Sequence, residues 1–162
     1  MNKELICGVG DIVITNQPQA VIKTFALGSC VAVIFYSPQF KLAGMAHVAL
    51  PDSNVNPQRA KQKPGYYADT AIFYLIQELK RSGIKKNSQI WIKLIGGANI
   101  LDKNHKFNIG KRNILAIKKL LWQFKLGVIA EDVGKDYSRT VTLFVNDGKI
   151  MISSPGQPQK IL

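Results

Sequence analysis

The stretch Leu27-Gly28-Ser29-Cys30-Val31-Ala32-Val33-Ile34-Phe35-Tyr36-Ser37-Pro38-Gln39-Phe40-Lys41-Leu42-Ala43-Gly44-Met45-Ala46-His47-Val48-Ala49-Leu50-Pro51 decides the fold. Two apolar runs, Val31 to Tyr36 and Leu42 to Leu50, flank Ser37-Pro38-Gln39-Phe40. Short runs rich in Val, Ile and aromatic residues read as buried strands. Proline fixes φ and supplies no ladder donor, so the residues between the runs read as a turn. An antiparallel hairpin is expected, entered through a tight Leu27-Gly28-Ser29 turn.

Working outward, Val21 to Ala26 reads as a preceding strand, and Ile6 to Thr15 as one or two short strands broken near Gly8 and Gly10. Pro51 to Gly65, rich in Asn, Gln, Lys and Pro, reads as a connecting loop. Ala68, Ile72, Leu75, Ile76 and Leu79 recur at helical spacing, with Gly83 placed to end the helix. Ile114, Ile117, Leu121 and Phe124 repeat the pattern, with Asn108 as N-cap and Gly127 as stop. Gln89 to Ile95, Val128 to Val133, Thr140 to Val145 and Lys149 to Ile152 read as strands, the last two joined across Asn146-Asp147-Gly148, a hairpin signal. Many strands and two helices without regular alternation predict a single α+β domain of packed mixed β-sheets flanked by helices. That domain is expected over residues 1–152, with residues 153–162, carrying Pro155, Gly156 and Pro158, as a loose tail.

Composition agrees with one globular unit: 162 residues, 46% hydrophobic and 20% charged. No apolar run approaches the roughly 18–20 residues of a membrane helix, and no secretory signal is read near Met1, so a cytoplasmic, non-inserted protein with reduced cysteines is expected. Two cysteines and two histidines, without C-x-x-C or H-E-x-x-H, predict no metal site. Gly96-Gly97-Ala98-Asn99 lacks the spacing of a nucleotide-binding loop and reads as a tight turn. Asp69, Glu78, Glu131 and Asp132 form no carboxylate acid/base spacing. The net charge of +12 is concentrated: residues 80–125 hold twelve bases and one acid, Asp102, whereas the remainder holds ten bases and nine acids. Such a stretch suits an acidic protein, nucleic acid or solvent alone. It has no zinc-finger spacing and no RNP-like motif, so nucleic-acid binding is the weaker alternative.

One arrangement carries chemistry. A hairpin turn centred between Pro38 and Gln39 places Cys30 directly opposite His47, on one face of the sheet. A one-residue slip would separate them onto opposite faces. An imidazole beside a thiol can take its proton and later deliver it to a leaving amine. Thr24 offers a hydroxyl to hold the ring, and the amides around Ser29 and Cys30 are oxyanion-hole candidates, with Gly28 permitting the turn that exposes them. A buried structural cysteine and a core histidine are the plainer reading of the same residues. Cys7 has no nearby base in sequence and reads as a buried small hydrophobe.

Thr24-Phe-Ala-Leu-Gly-Ser-Cys30-Val-Ala-Val, followed by Gly44-Met-Ala-His47-Val-Ala-Leu-Pro51, resembles the CheD family of chemoreceptor glutamine deamidases. The resemblance continues through Tyr67-Ala-Asp-Thr-Ala71, Gly96 to Asn99, Asn108-Ile-Gly-Lys-Arg-Asn113, Glu131-Asp-Val-Gly134 and Arg139-Thr-Val141. It implies a CheD-like cysteine hydrolase fold, with Cys30, His47 and Thr24 as catalytic triad and no cofactor. The implied reaction converts selected glutamines on the cytoplasmic helices of chemoreceptors to glutamate, through a thioester, in chemotaxis. The resemblance also implies association with a CheC-type phosphatase, leaving a mainly regulatory binding role as an alternative. Ser138 departs from the glycine that such sequences carry before the arginine of the D-V-G…R segment.

Overall fold

The computed structural model describes residues 3–162. One five-stranded sheet has the order β1-β3-β8-β9-β10, formed by Lys3–Ile6, Ala20–Leu27, Arg139–Phe144, Ile150–Ser154 and Gln157–Ile161. The other has the order β2-β5-β4-β6-β7, formed by Ile12–Thr15, Leu42–Val48, Val31–Ser37, Trp91–Gly96 and Val128–Val133. Both sheets are mixed: β1 runs parallel to β3 and β6 to β7, beside antiparallel neighbours. Helices α2 (Ala68–Arg81) and α3 (Ile109–Gln123) cover the outer face of the second sheet, so the helices lie on one side of the pair.

Strand β4 explains this layering. Its odd residues Val31, Val33 and Phe35 pack with Ile72, Leu75, Ile117 and Leu121 of the helices, whereas its even residues Ala32, Ile34 and Tyr36 pack with Ile22, Val141, Leu143 and Ile150 of the facing sheet. A strand buried on both faces has no polar alternation, which is why it reads as a continuous apolar run. Burying each Val, Leu, Ile or Phe side chain contributes about 1.5–3 kcal/mol, and the two cores meet at β4 and β5. At one end of the inter-sheet layer the apolar side chains give way to Thr24 and His47.

The hairpin register differs from the sequence expectation by two residues. His47 pairs with Ala32, not Cys30, and the ladder closes at Ser37 opposite Leu42. A turn centred at Pro38–Gln39 would be a two-residue loop, which needs positive φ at its centre, and proline cannot adopt it. The chain instead uses four residues, Pro38 to Lys41, with Lys41 left-handed at φ 49°. Because the shift is even, Cys30 and His47 keep a common face, as diagonal rather than direct neighbours.

Other elements also moved. Within the expected 51–65 loop, Pro57–Gln62 forms helix α1, because Asn56 accepts from the Arg59 amide at 3.0 Å and proline opens the first turn. Gly83 ends α2 at φ +84° as expected. Asn108 precedes α3 but is left-handed and makes no side-chain cap, and α3 stops before Gly127, with Lys125 left-handed at φ 57°. Residues 153–162, expected as a loose tail, complete an edge hairpin: β10 pairs with β9, and the Leu162 amide donates to Ile150 O at 2.9 Å. Pro158 is tolerated there because an edge strand needs no donor on its free side.

Candidate active site

Thr24 and His47 meet at the polar end of the inter-sheet layer, and Cys30 lies on the same face of the sheet, diagonal to His47. Thr24 comes from β3 of one sheet, His47 from β5 of the other, and Cys30 from the turn that feeds β4. Thr24 and His47 are buried, and Cys30 is half-buried. The Thr24 hydroxyl donates to the Cys7 carbonyl at 2.6 Å and lies 2.8 Å from Nδ1 of His47. A hydroxyl has one proton and a carbonyl can only accept. Thr24 must therefore accept from Nδ1–H, and this tautomer leaves the Nε2 lone pair free. The His47 backbone is also held, its amide donating to Asp11 O at 3.1 Å and its carbonyl accepting from Gly10 N at 2.9 Å.

No hydrogen bond joins Cys30 Sγ to the ring among the described residues, in keeping with the diagonal placement. Catalytic hydrogen bonds are often long before substrate binds. Burial pushes the Cys30 thiol up from its ordinary 9.0, and burial holds the His47 imidazolium below its ordinary 6.5, outweighing the Cys7 carbonyl and the charge of Asp11. Both shifts favour a neutral thiol beside a neutral imidazole. Cys7 is 1% exposed, the buried small residue expected, and burial first, then Asp11, pushes its thiol up to about 12. Its backbone carbonyl, which the sequence does not mark, is what orders Thr24.

The turn before Cys30 is built from its carbonyls. Gly28 O accepts from Ala98 N at 2.8 Å, and Cys30 O accepts from Gly97 N at 2.7 Å. Ser29 O accepts from Asn113 Nδ2 at 3.0 Å. The amides of Ser29 and Cys30 donate to no group among the described residues. Gly28 does not carry the unusual backbone expected of it; Ala26 does, at φ 50°, where the β3–β8 register shifts. The Gly96-Gly97 turn is more than a connection. A Cβ at Gly96, whose φ is +112°, would lie 2.3 Å from Cys30 O, and one at Gly110 would lie 2.4 Å from Gly97 O. Glycine is required at both because backbones meet there.

A cleft of about 1460 Å³ opens beside Cys30, walled by Ile100, Leu101, Phe107 and Leu115 and rimmed by Lys103 and Lys111. Leu101 is 91% and Phe107 61% exposed, so this wall presents apolar surface to solvent. Asp102 shapes the wall by accepting from the amides of Lys106, Phe107 and Asn108 at 2.8, 2.8 and 2.9 Å. The Gly134–Asp136 loop also lines the cleft and is tied to the glycine turn, Lys135 O accepting from Asn99 N at 2.8 Å. Fully buried Arg139 holds it, donating to Gly134 O at 2.8 Å and pairing with Asp132 at 3.1 Å. The Asp132 carboxyl is desolvated, yet Arg139 and Lys160 hold it below its ordinary value. Arg139 and Asn113 lie in motifs quoted from the sequence, but a sequence gives no sign of which carbonyls they reach.

The family model described as CheD chemotactic sensory transduction matches residues 49–154, a span that leaves out Thr24, Cys30 and His47. Over nearly its whole length the chain is similar to the probable chemoreceptor glutamine deamidase CheD of Syntrophotalea carbinolica, 48% identical over 157 residues, covering 96% of this chain and 97% of that protein. It is also similar to the chemoreceptor glutamine deamidase CheD of Thermotoga maritima, 38% identical over 156 residues, covering 96% and 95%. The probable chemoreceptor glutamine deamidase CheD of Methanosarcina barkeri is 37% identical over 155 residues, covering 96% and 99%. Matches of this extent, over a chain with two mixed sheets and a cysteine at the mouth of a cleft, establish that the chain belongs to the CheD family.

Proposed function

We propose that this protein is a cysteine-dependent protein-glutamine glutaminase acting on the cytoplasmic helices of chemoreceptors. The observation that carries this reading is the Cys7 carbonyl–Thr24–His47 chain, which leaves Nε2 as the base on the face shared with Cys30. Nε2 of His47 takes the thiol proton as Cys30 Sγ bonds to the glutamine amide carbon. The oxygen of that amide becomes an oxyanion, met by the amides of Ser29 and Cys30. His47 returns the proton to the departing nitrogen, ammonia leaves, and a thioester remains on Cys30. Water then attacks the thioester while His47 takes its proton. The carbon–sulfur bond breaks, the thiol regains a proton, and glutamate is released.

The residues need no metal or cofactor for these steps, since each proton has a holder and the thioester is reactive toward water. No helix among the described residues is long and apolar enough to cross a membrane, which suits a protein that meets receptors from the cytoplasm. The test is peptide mass mapping of a chemoreceptor co-expressed with wild-type protein, Cys30→Ala or Cys7→Ala. Wild type and Cys7→Ala should convert the same glutamines to glutamate, and Cys30→Ala none. Conversion by Cys30→Ala at the wild-type level ends the reading.

A further inference from the structure

We infer that Asn113 is a positioning residue that aims the Cys30 amide at the oxyanion. The inference rests on Cys30 as an acyl-transfer nucleophile and adds the group that orders its oxyanion donor. The β4–β5 ladder ends at Val31 opposite Val48, so Ser29, Cys30 and Ala49 lie beyond its last rung. Asn113 spans this opening. Its side-chain NH₂ donates to Ser29 O at 3.0 Å and to Ala49 O at 2.9 Å, tying the nucleophile turn to the end of the histidine strand. The amide cannot be reversed, because Oδ1 would then face two carbonyl oxygens. Oδ1 is buried with no hydrogen-bond partner, and Asn113 itself is 0% exposed. A group that leaves a buried acceptor unsatisfied costs stability, so stability alone does not account for an asparagine here.

The geometry of a trans peptide supplies the link to chemistry. C=O and N–H of one peptide unit point in opposite directions, and no cis bond interrupts the turn. Holding Ser29 O toward α3 therefore turns the Cys30 N–H away from it, where it donates to nothing among the described residues. Three successive carbonyls, of Gly28, Ser29 and Cys30, are fixed in this turn. Two are held by backbone amides of Ala98 and Gly97, and the third by the Asn113 side chain. Gly110 lets the start of α3 come close enough, since any Cβ there would strike Gly97 O.

The experiment compares two reagents at Cys30. p-Nitrophenyl acetate acylates sulfur through a tetrahedral oxyanion: the S–C bond forms, nitrophenolate leaves with its electron pair, and the thiol proton passes to His47. Iodoacetamide alkylates the same sulfur by displacing iodide from a saturated carbon, with no oxyanion. In Asn113→Ala the acylation rate should fall about 10-fold or more, within the reach of a lost oxyanion donor. The alkylation rate should stay within about threefold, since the Cys30–His47 pair is intact. Asn113→Ser, which keeps one short donor, should fall between, and reads the same ratio if the alanine variant does not fold. Ile117→Ala, a core change on the same helix, should leave the ratio of the two rates at the wild-type value. A parallel loss of both rates in the Asn113 variants, or an unchanged ratio, overturns the inference. So does wild-type Cys30 that alkylates but does not acylate. Because the ratio requires no glutamine turnover, a protein that fails to deamidate receptors while the ratio behaves as stated sinks only the glutaminase reading.

Discussion

At the scale of single residues, the site is governed by where each proton is held. Cys30 is raised and His47 lowered, both chiefly by burial, so the resting pair is neutral rather than thiolate–imidazolium. The sign follows directly: His47 becomes a competent base as pH rises through a value below 6.5, and the thiolate becomes the main form of Cys30 only above 9.0. Iodoacetamide alkylation of wild-type Cys30 should thus be slow at neutral pH, climb steadily as pH rises, and level off only on the alkaline side of 9.0. A reactive plateau in mildly acid solution would show an ion pair and contradict this. Receptor deamidation should instead lose activity only on the acid side of 6.5, where His47 gains its proton. Thr24→Val keeps the shape but removes the acceptor that fixes the ring, leaving buried Nδ1–H and Cys7 O unpaired at about 1–3 kcal/mol each. It should retain more turnover than His47→Ala, in which the base itself is gone. The Thr24–His47 contact and the common face of Cys30 and His47 were legible from residue type and motif, although the spacing argument set Cys30 opposite His47, two residues out of register. The Cys7 carbonyl and Asn113 were not, because a carbonyl has no sequence signature and a hydrogen bond across 84 residues leaves no period.

At the scale of elements, local chemistry predicts strands and helices well and their exact meeting points poorly. The doubly buried β4, the 3.6-residue pattern of α2 and the Asn-Asp-Gly hairpin were all readable, because each is dictated by neighbours in sequence. The hairpin register was not, since it depended on whether the turn takes two or four residues. Nor was β10, whose Pro158, close after Pro155 and Gly156, suggests a loop until the edge position makes its missing donor harmless. The Gly96-Gly97 turn shows how an element junction serves the site: its amide carries the Cys30 carbonyl, and its glycines admit the approach. Gly96→Ala places a methyl group 2.3 Å from Cys30 O at a φ of +112°. It should cost about 1–3 kcal/mol of stability, read by urea unfolding, and reduce Cys30 acylation by more than that loss explains. Wild-type stability together with wild-type acylation would show that the turn yields freely.

At the scale of the whole molecule, the charge asymmetry seen in sequence acquires a position. Residues 80–125 contribute β6, α3 and one wall of the cleft. Some of their charge is spent internally: Lys118 pairs with Glu131 at 2.7 Å, and Lys93 donates to Leu162 O at 2.8 Å. Lys103, Lys111 and Lys135 border the cleft beside exposed Leu101 and Phe107. An acidic helix bearing the target glutamine would thus meet apolar wall and basic rim together. Surface charges act over about 8 Å at physiological salt, so the bases nearest Cys30 should dominate encounter. Lys103→Glu with Lys111→Glu should raise the apparent KM for whole receptor several-fold, with the difference shrinking as salt is added. Lys85→Glu with Lys86→Glu, which line no part of the cleft, should have the smaller effect. Turnover of a short neutral glutamine peptide should respond little to either pair, because neither touches Thr24, Cys30 or His47. Equal effects of the two pairs would mean that net charge, not its placement, guides the receptor. Indifference to both pairs and to salt would reduce the basic stretch to a solvated face, and a band shift with nucleic acid at physiological salt would give it a different partner altogether.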